Sequence, residues 1–576
     1  MTADDERIAV VGLAGRFPGA RDVAALWRAL LDGVDAVHDH SDDELRALGI
    51  GEELLADPAL VRGHGRLADV AGLDAGLFGI PDEDARAMDP QQRLFLEQSW
   101  VALQDAGCDP ADCQGAVGAF AGASVNRYFL FRLLAGAAAD GAADRDWERL
   151  LVPGWSADYL PAQVAYRLGL TGPAVAVQTA CSSSLVAVCL AAQSLLDYRC
   201  DIALAGGASV SEPRFRHGPG SLVSPDGRCR AFDAGGQGSG YGSGAAVLAL
   251  KRLADARADG DQIYAVLSGW AVNNDGAARA GFAAPGMAGQ AAVVAEALAS
   301  AELRGADIGY VEAHGGGTLV GDAIEVAALA EAWRELGGAG AGPLPTGSCA
   351  LGSVKTNLGN LDAAAGATGL VKAVLAVRHG VIPGNLHYDS PNPEIDFAAT
   401  PFFVPVGTTG WPGAHAVRRA GVSSFGLGGT NAHVIVEQPP DAPGRQEPPG
   451  LHLLVVSART PDAVRDATAA LSRHLRRSAE RLGDVSFTLA TRRAFEHRAA
   501  VVCHDLTDAV AALNAVLPGQ VAGAAGDPDL GRLAQDWVAG RPVDLAPLLG
   551  AGDRQRTWLP PYPFQRQRYW TEIGPG

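Results

Sequence analysis

Residues 174–195 read AVAVQTACSSSLVAVCLAAQSL. A β-type run ends at Thr179-Ala180, and Cys181 then opens a long apolar helical stretch whose first turn holds Ser182, Ser183 and Ser184. Strand, tight turn and helix in that order belong to an α/β sheet, and they set Cys181 at the positive end of a helix dipole. That position lowers a thiol pKa and favours the thiolate, so Cys181 is the candidate nucleophile. Small neighbours leave its sulfur open to a substrate. Cys189 and Cys200 lie deeper in apolar sequence and read as structural cysteines.

Outward from this segment the same alternation recurs. β-type runs at 7–12, 202–209, 245–250, 262–269 and 432–437 alternate with helical periodicity at 91–106, 183–196, 289–303 and 364–378. Apolar strands separated by helices argue for an α/β fold with helices covering the sheet. Residues 438–450, QPPDAPGRQEPPG, carry five prolines and two glycines and can continue neither element, so they form a linker. After it, LHLLVVSA at 451–458, an arginine-rich helical stretch at 461–482 and a strand at 499–503 read as a small α/β subdomain spanning 451–556. The final segment, 557–576, holds Trp558, Tyr562, Phe564, Tyr569 and Trp570 among prolines and reads as a strap packed back on the first domain.

Composition narrows the function classes. The chain has 576 residues, 48% apolar and 19% charged, which excludes a disordered chain, and its 73 glycines follow no Gly-X-Y period. The net charge of −19 argues against a nucleic-acid partner. No cationic, apolar leader and no run of 18 uncharged apolar residues occurs, so a soluble cytoplasmic protein without a membrane partner is expected. The eight cysteines form no C-x-x-C pair and no Cys/His cluster of zinc spacing, so reduced thiols and no metal site are expected.

Three further segments carry polar residues among glycines. Residues 310–325, YVEAHGGGTLVGDAIE, place His314 at the end of a strand, then a loop open to a ligand, then Asp322 and Glu325 one helical turn apart. Residues 352–369, GSVKTNLGNLDAAAGATG, set Lys355 and Asn360 before a helix of small residues; taken alone, Lys355 reads equally well as a surface charge. Residues 421–437, GVSSFGLGGTNAHVIVE, offer backbone N–H groups suited to half of an oxyanion hole. His433 alternates with apolar residues there and reads as structural.

Together and in this order the segments resemble the ketosynthase domains of modular polyketide synthases, within the thiolase-like superfamily. The resemblance rests on DPQQRLFLEQSW (89–100), TACSSSL (179–185), SPDGRCRAFD (224–233), EAHGGGT (312–318), KTNLGNLDAAAG (355–366) and GVSSFGLGGTNAHV (421–434). It implies two similar βαβαβαββ halves in α-β-α-β-α layers, divided near residue 255 within a domain of residues 1–437, and a homodimer. It also implies that Cys181 carries an acyl chain as a thioester, with the N–H groups of Cys181 and Leu427 forming the oxyanion hole. His314 and a second histidine would polarise a malonyl thioester during decarboxylation, and Lys355 would pair with Glu325. No cofactor is bound; an acyl carrier protein brings a phosphopantetheine arm, which would run along Thr318, Ser353 and the Gly428-Gly429-Thr430 loop. Neighbouring synthase domains are the other expected partners. LPPYPFQRQRYW (559–570) is similar to the strap that follows an acyltransferase domain, yet only 106 residues, 451–556, separate linker and strap, too few for such a domain. The layout resembles modules served by a free-standing acyltransferase.

The sequence departs from the family at the second histidine, where Gly359-Asn360 stands. An amide donates a hydrogen bond but cannot become cationic or shuttle a proton. Losing one donor aimed at developing charge costs about 10²–10³ in rate. Gly316, Gln237, Ser243 and Asp362 are further departures. Leu427 replaces a bulkier phenylalanine gate and suggests a less obstructed mouth. The expectation is a non-elongating ketosynthase that accepts and passes on an acyl chain. Two alternatives stay open: a condensing enzyme using a Cys-His-Asn set, as chalcone synthases do, and a silent dimeric scaffold. The arginines at 473, 476, 477, 492 and 493 are candidates for contact with an acidic carrier protein.

Overall fold

The computed structural model describes residues 6–571 apart from 112, 114, 135–155, 337–345, 413–415, 441–449, 479, 524–526, 544 and 546–553. Most of the expected linker thus lies outside the described residues.

Among the described residues the first domain is built around one hydrogen-bonded sheet of eleven strands. We number them β1 (Ile8–Arg16), β2 (Val117–Ala123), β3 (Ala174–Ala176), β4 (Ile202–Ser209), β5 (Gly244–Arg252) and β6 (Ala265–Asn274). The remainder are β7 (Tyr310–Glu312), β8 (Cys349–Gly352), β9 (Phe402–Phe403), β10 (Arg419–Phe425) and β11 (Thr430–Glu437). Their order is β9-β8-β7-β10-β11-β6-β1-β5-β4-β2-β3. The sequence of pairings repeats about the antiparallel β1–β6 contact. In each half two antiparallel pairings, β1–β5–β4 or β6–β11–β10, lead to two parallel ones, β4–β2–β3 or β10–β7–β8. With helices α1 (Pro90–Asp105), α2 (Tyr159–Leu168), α3 (Ser183–Leu196), α4 (Met287–Ser300), α5 (Leu319–Glu335) and α6 (Ala365–His379), each half reads βαβαβαββ, with β9 added at one edge. This is the two-fold thiolase-like architecture expected from the sequence.

Hydrophobic pattern explains the layers. Helices α3 and α6 are apolar around almost their whole circumference, as a helix covered on all sides must be. They lie together in a core that includes Val10, Leu248, Ala350 and Val434 from strands of both halves. Helices α1 and α2 cover one outer face through Leu94, Phe95, Leu160 and Val164, and α4 and α5 cover the other through Val294, Leu298, Val326 and Trp333. None of the described helices is long and apolar enough to cross a membrane.

Among the described residues the small subdomain has a three-stranded sheet, β12 (His452–Ala458), β13 (His497–Cys503) and β14 (Val521–Gly523), with four helices beginning with α7 (Pro461–Leu475). The strap beyond it pairs Gln567–Arg568 with Leu73 and Gly72. Arg566 meets the buried Glu97 at 2.9 Å, and Trp570 packs on Tyr128 with ring centres 4.8 Å apart. Arg492 donates to the carbonyls of Pro560 (2.8 Å) and Leu559 (3.0 Å), and burial pushes its pKa down to about 10. It is an anchor for the strap, not a free docking charge as the sequence suggested; Arg473, Arg476 and Arg477 are exposed.

A buried ion pair underpins the second half. Lys372 on α6 meets Glu312 on β7 at 2.9 Å, both almost inaccessible to solvent. Glu312 also accepts from the backbone of Val354 (2.6 Å) and from the hydroxyl of Tyr310. Removing one member strands the other charge, so Lys372→Met is expected to lower stability by about 3–5 kcal/mol. Urea unfolding measures this, and adding Glu312→Gln to Lys372→Met is expected to recover part of the loss.

Candidate active site

The turn bearing Cys181 is locked by the serines that follow it. Ser182 donates to the Thr179 carbonyl (2.9 Å), Ser183 donates to the Ala180 carbonyl (2.7 Å), and Ser183 also accepts from the Thr179 N–H (2.9 Å). Ala180 sits at φ +55°, a left-handed conformation costing about 1–2 kcal/mol for a residue with a Cβ. The turn thereby projects Cys181 from a 3₁₀ segment, Ala180–Ser182, and α3 begins only at Ser183. Ser424 on β10 donates to the Cys181 carbonyl at 2.9 Å. Behind the turn, a Cβ on Gly426 would lie 2.1 Å from the Thr179 carbonyl oxygen, so the 425–430 loop can reach the nucleophile only with glycine there.

The expected lowering of the Cys181 pKa is corrected by the structure. Cys181 is only partly buried, yet desolvation pushes its thiol up to about 11, aided by the nearby Asp362 carboxylate. Desolvation and a like charge outweigh a helix dipole whose first turn starts two residues later.

His314 follows β7, which ends at Glu312 and not at the histidine. Glu325 on α5 accepts from the N–H groups of His314 (2.7 Å) and Gly315 (2.8 Å), while Asp322 accepts from Gly317 (3.1 Å) and Phe232 (2.7 Å). Burial pushes both carboxyls up to about 7. The N–H of Phe425 donates to His314 Nδ1 (3.2 Å), which assigns the ring hydrogen to Nε2. Burial, then the charge of Lys355, holds the His314 pKa well below its ordinary value, so the ring is a neutral donor.

Lys355 Nζ donates to the carbonyl of His314. The expected ion pair between Lys355 and Glu325 is not formed; the two hold opposite ends of the His314 backbone, Lys355 on its carbonyl and Glu325 on its N–H.

Asn360 is reached through Gly359 at φ +75°. Its backbone is knitted to a facing segment, donating to Gly240 (2.7 Å) and accepting from Gly242 (3.0 Å). Its Nδ2 donates to Cys181 Sγ at 3.7 Å, and its Oδ1 accepts from the N–H of Asp362 at 3.0 Å. The Cys181 thiol in turn points to Asp362 Oδ1 at 3.7 Å. The structure thus gathers Cys181, His314, Asn360, Lys355 and Glu325 into one region. It adds Asp362, whose contact with the sulfur, 181 residues away in the chain, had no sequence signal beyond its being a departure.

The expected binding residues divide. Gly428, Gly429 and Thr430 lie on the loop beside the nucleophile, where Arg279 donates to the Gly428 carbonyl (3.0 Å) and Asn274 to Thr430 Oγ1 (3.2 Å). Leu427 at its tip is 43% exposed. Thr318 caps α5, accepting from the Gly321 N–H, and keeps partial exposure. Ser353 is fully buried and donates to the Gly315 carbonyl at 3.3 Å, so it supports the histidine loop from beneath and does not face the approach.

Residues 5–256 match the β-ketoacyl synthase N-terminal domain, 264–389 its C-terminal domain, and 391–502 the ketoacyl-synthetase C-terminal extension. The crystal structure of ketosynthase twelve of the bacillaene polyketide synthase of Bacillus amyloliquefaciens superposes with a TM-score of 0.86 at 36% identity, covering 98% of this chain and 100% of that one. This chain belongs to the polyketide synthase ketosynthases. An oxazolomycin ketosynthase domain from Streptomyces albus is similarly close, with TM-score 0.86, 36% identity and 98% of each chain covered. A phenolphthiocerol/phthiocerol polyketide synthase of Mycobacterium tuberculosis is 42% identical over 95% of this chain, which spans 37% of that protein's length. Ketosynthases of this family are transferases that bind no cofactor of their own; the phosphopantetheine belongs to the acyl carrier protein.

Because the thiol is raised to about 11, its thiolate fraction climbs about tenfold per pH unit through the neutral range. Alkylation of Cys181 by iodoacetamide, followed by mass spectrometry between pH 7 and 9, is expected to accelerate throughout without reaching a plateau.

Proposed function

We propose that this domain accepts an acyl chain from an acyl carrier protein as a thioester on Cys181 and passes it to a second carrier without extending it. The observation that carries this reading is Asn360, an amide whose Nδ2 is directed at the Cys181 sulfur and whose Oδ1 is engaged by Asp362. Thioester exchange needs a nucleophile and donors for a tetrahedral oxyanion. Cys181 supplies the first, and its own N–H with that of Leu427 is assigned the second. Decarboxylative condensation asks more: a malonyl carbonyl must be polarised while it becomes an enolate. His314 brings one neutral N–H to that task, and Asn360 cannot become cationic to strengthen a second.

The same two donors favour the other reading, in which a Cys-His-Asn set condenses. We place transfer first because the Asn360 amide can neither become cationic nor shuttle a proton. Acyl carrier proteins, neighbouring synthase domains and a second copy of the chain are the partners assigned. Edge strand β3 leaves Ala174 and Val175 exposed at one end of the sheet, as a strand continued by a partner requires. Exposed Arg473, Arg476 and Arg477 suit an acidic carrier. The subdomain running into the strap without an intervening acyltransferase supports service by a free-standing one, and the domain is assigned to the cytoplasm.

Intact-protein mass spectrometry tests the proposal. After acylation of Cys181, malonyl-loaded and unmalonylated carrier proteins are added. Unextended acyl groups are expected on the unmalonylated carrier, with the malonyl group intact; a β-ketoacyl product would establish the condensing reading, and failure of Cys181 to acylate the scaffold. In Asn360→His, malonyl decarboxylation is expected to rise by about 10²-fold.

A further inference from the structure

We propose that Asp362 is the proton carrier of acyl transfer at Cys181. The inference rests on the reading that Cys181 exchanges thioesters. As the sulfur attacks the incoming thioester carbonyl, the new S–C bond forms and the thiol proton passes to the Asp362 carboxylate. As the tetrahedral intermediate collapses, the bond from carbon to the pantetheine sulfur breaks, and Asp362 returns the proton to that departing sulfur. Release onto the next carrier is the same sequence reversed, so no oxidant or further reactant enters.

The geometry assigns the role by direction. Asn360 Nδ2 donates to Cys181 Sγ, which occupies a sulfur lone pair and leaves the S–H to point elsewhere. Asp362 Oδ1, at 3.7 Å, is the acceptor it meets. Asp362 is held there by its own N–H on Asn360 Oδ1 and by a backbone at φ +46°, which Asp tolerates better than a longer side chain does. The two residues before and at the helix start thus divide the work of a histidine: the amide donates and the carboxylate carries the proton.

The other polar groups of the site are already committed. His314 Nδ1 holds the Phe425 N–H, and its Nε2 carries the hydrogen, so it has no lone pair for the thiol. The Lys355 ammonium donates to the His314 carbonyl and has none either. The Tyr241 phenol is pushed up to about 12 by burial and by the charges of Cys181 and Asp362, so it stays protonated. Free thiolate is scarce at neutral pH for a thiol raised to about 11, which makes removal of the proton during attack the productive route.

The test separates a base from a mere negative charge. In Asp362→Asn, single-turnover acylation of Cys181 by an acyl-pantetheine thioester at neutral pH is expected to fall by about 10²-fold. Alkylation by iodoacetamide, which needs only thiolate, is expected to become faster because the repelling carboxylate is gone. Asp362→Glu is expected to retain part of the transfer rate. Acylation that is unchanged or faster in Asp362→Asn overturns the proposal, as does a parallel fall in both reactions. Should the variants fail to fold, the wild-type protein decides: acylation slower in D2O than in H2O supports proton transfer in the rate-limiting step, and no slowing overturns it. Wild-type protein that never acylates refutes the transfer reading itself, a result distinct from these.

Discussion

The close contact of two buried helices sets the chemistry of this molecule. A Cβ at Gly366, in the first turn of α6, would lie 2.7 Å from the Leu185 Cβ on α3, so the helices approach at a distance only glycine allows. Cys181 stands just ahead of α3, and Asn360 and Asp362 just ahead of α6. Bringing the two N-terminal ends together brings the sulfur, the amide and the carboxylate into hydrogen-bond range. Two helix starts from opposite halves of the repeat thus build the site between them, and larger residues at the crossing would part them.

Buried charge does the remaining positioning. Glu325 and Asp322 spend their oxygens on backbone N–H groups around the His314 loop, and Glu312 holds the Val354 N–H, the Tyr310 hydroxyl and Lys372. Lys355 and Lys372 hold the same region from the other side, one on the His314 carbonyl and one on Glu312. Such groups are costly to bury singly and tolerable when every polar atom is matched. The loop carrying His314 is therefore fixed before any substrate arrives, which is what a donor aimed at developing charge needs.

The electrostatics of the nucleophile run opposite to a simple dipole argument. Burial and Asp362 hold the sulfur as a thiol, His314 is held neutral, and Asn360 has no charge to offer. Desolvation and a neighbouring carboxylate thus outweigh the helix dipole at this sulfur.

The sequence alone determined the α/β class and named Cys181, in a turn of small residues, and His314, Lys355 and Asn360, in glycine-bearing segments; the two-half repeat was an implication of the family resemblance. Periodicity and turn chemistry are local, and TACSSS, HGGGT and KTNLGN each declare a turn within a few residues. Strand limits were less legible: β6 runs to Asn274 and β7 stops at Glu312, because ladder partners decide where pairing ends. Three assignments needed the tertiary structure outright. Whether Lys355 meets Glu325 or a carbonyl, whether Arg492 is free or bound under the strap, and whether the Cys181 thiol is lowered or raised all turn on distances between residues far apart in the chain. A sequence names the groups and the local turns that carry them; desolvation and charge pairing fall off over a few ångströms, so only the packed fold decides which group meets which.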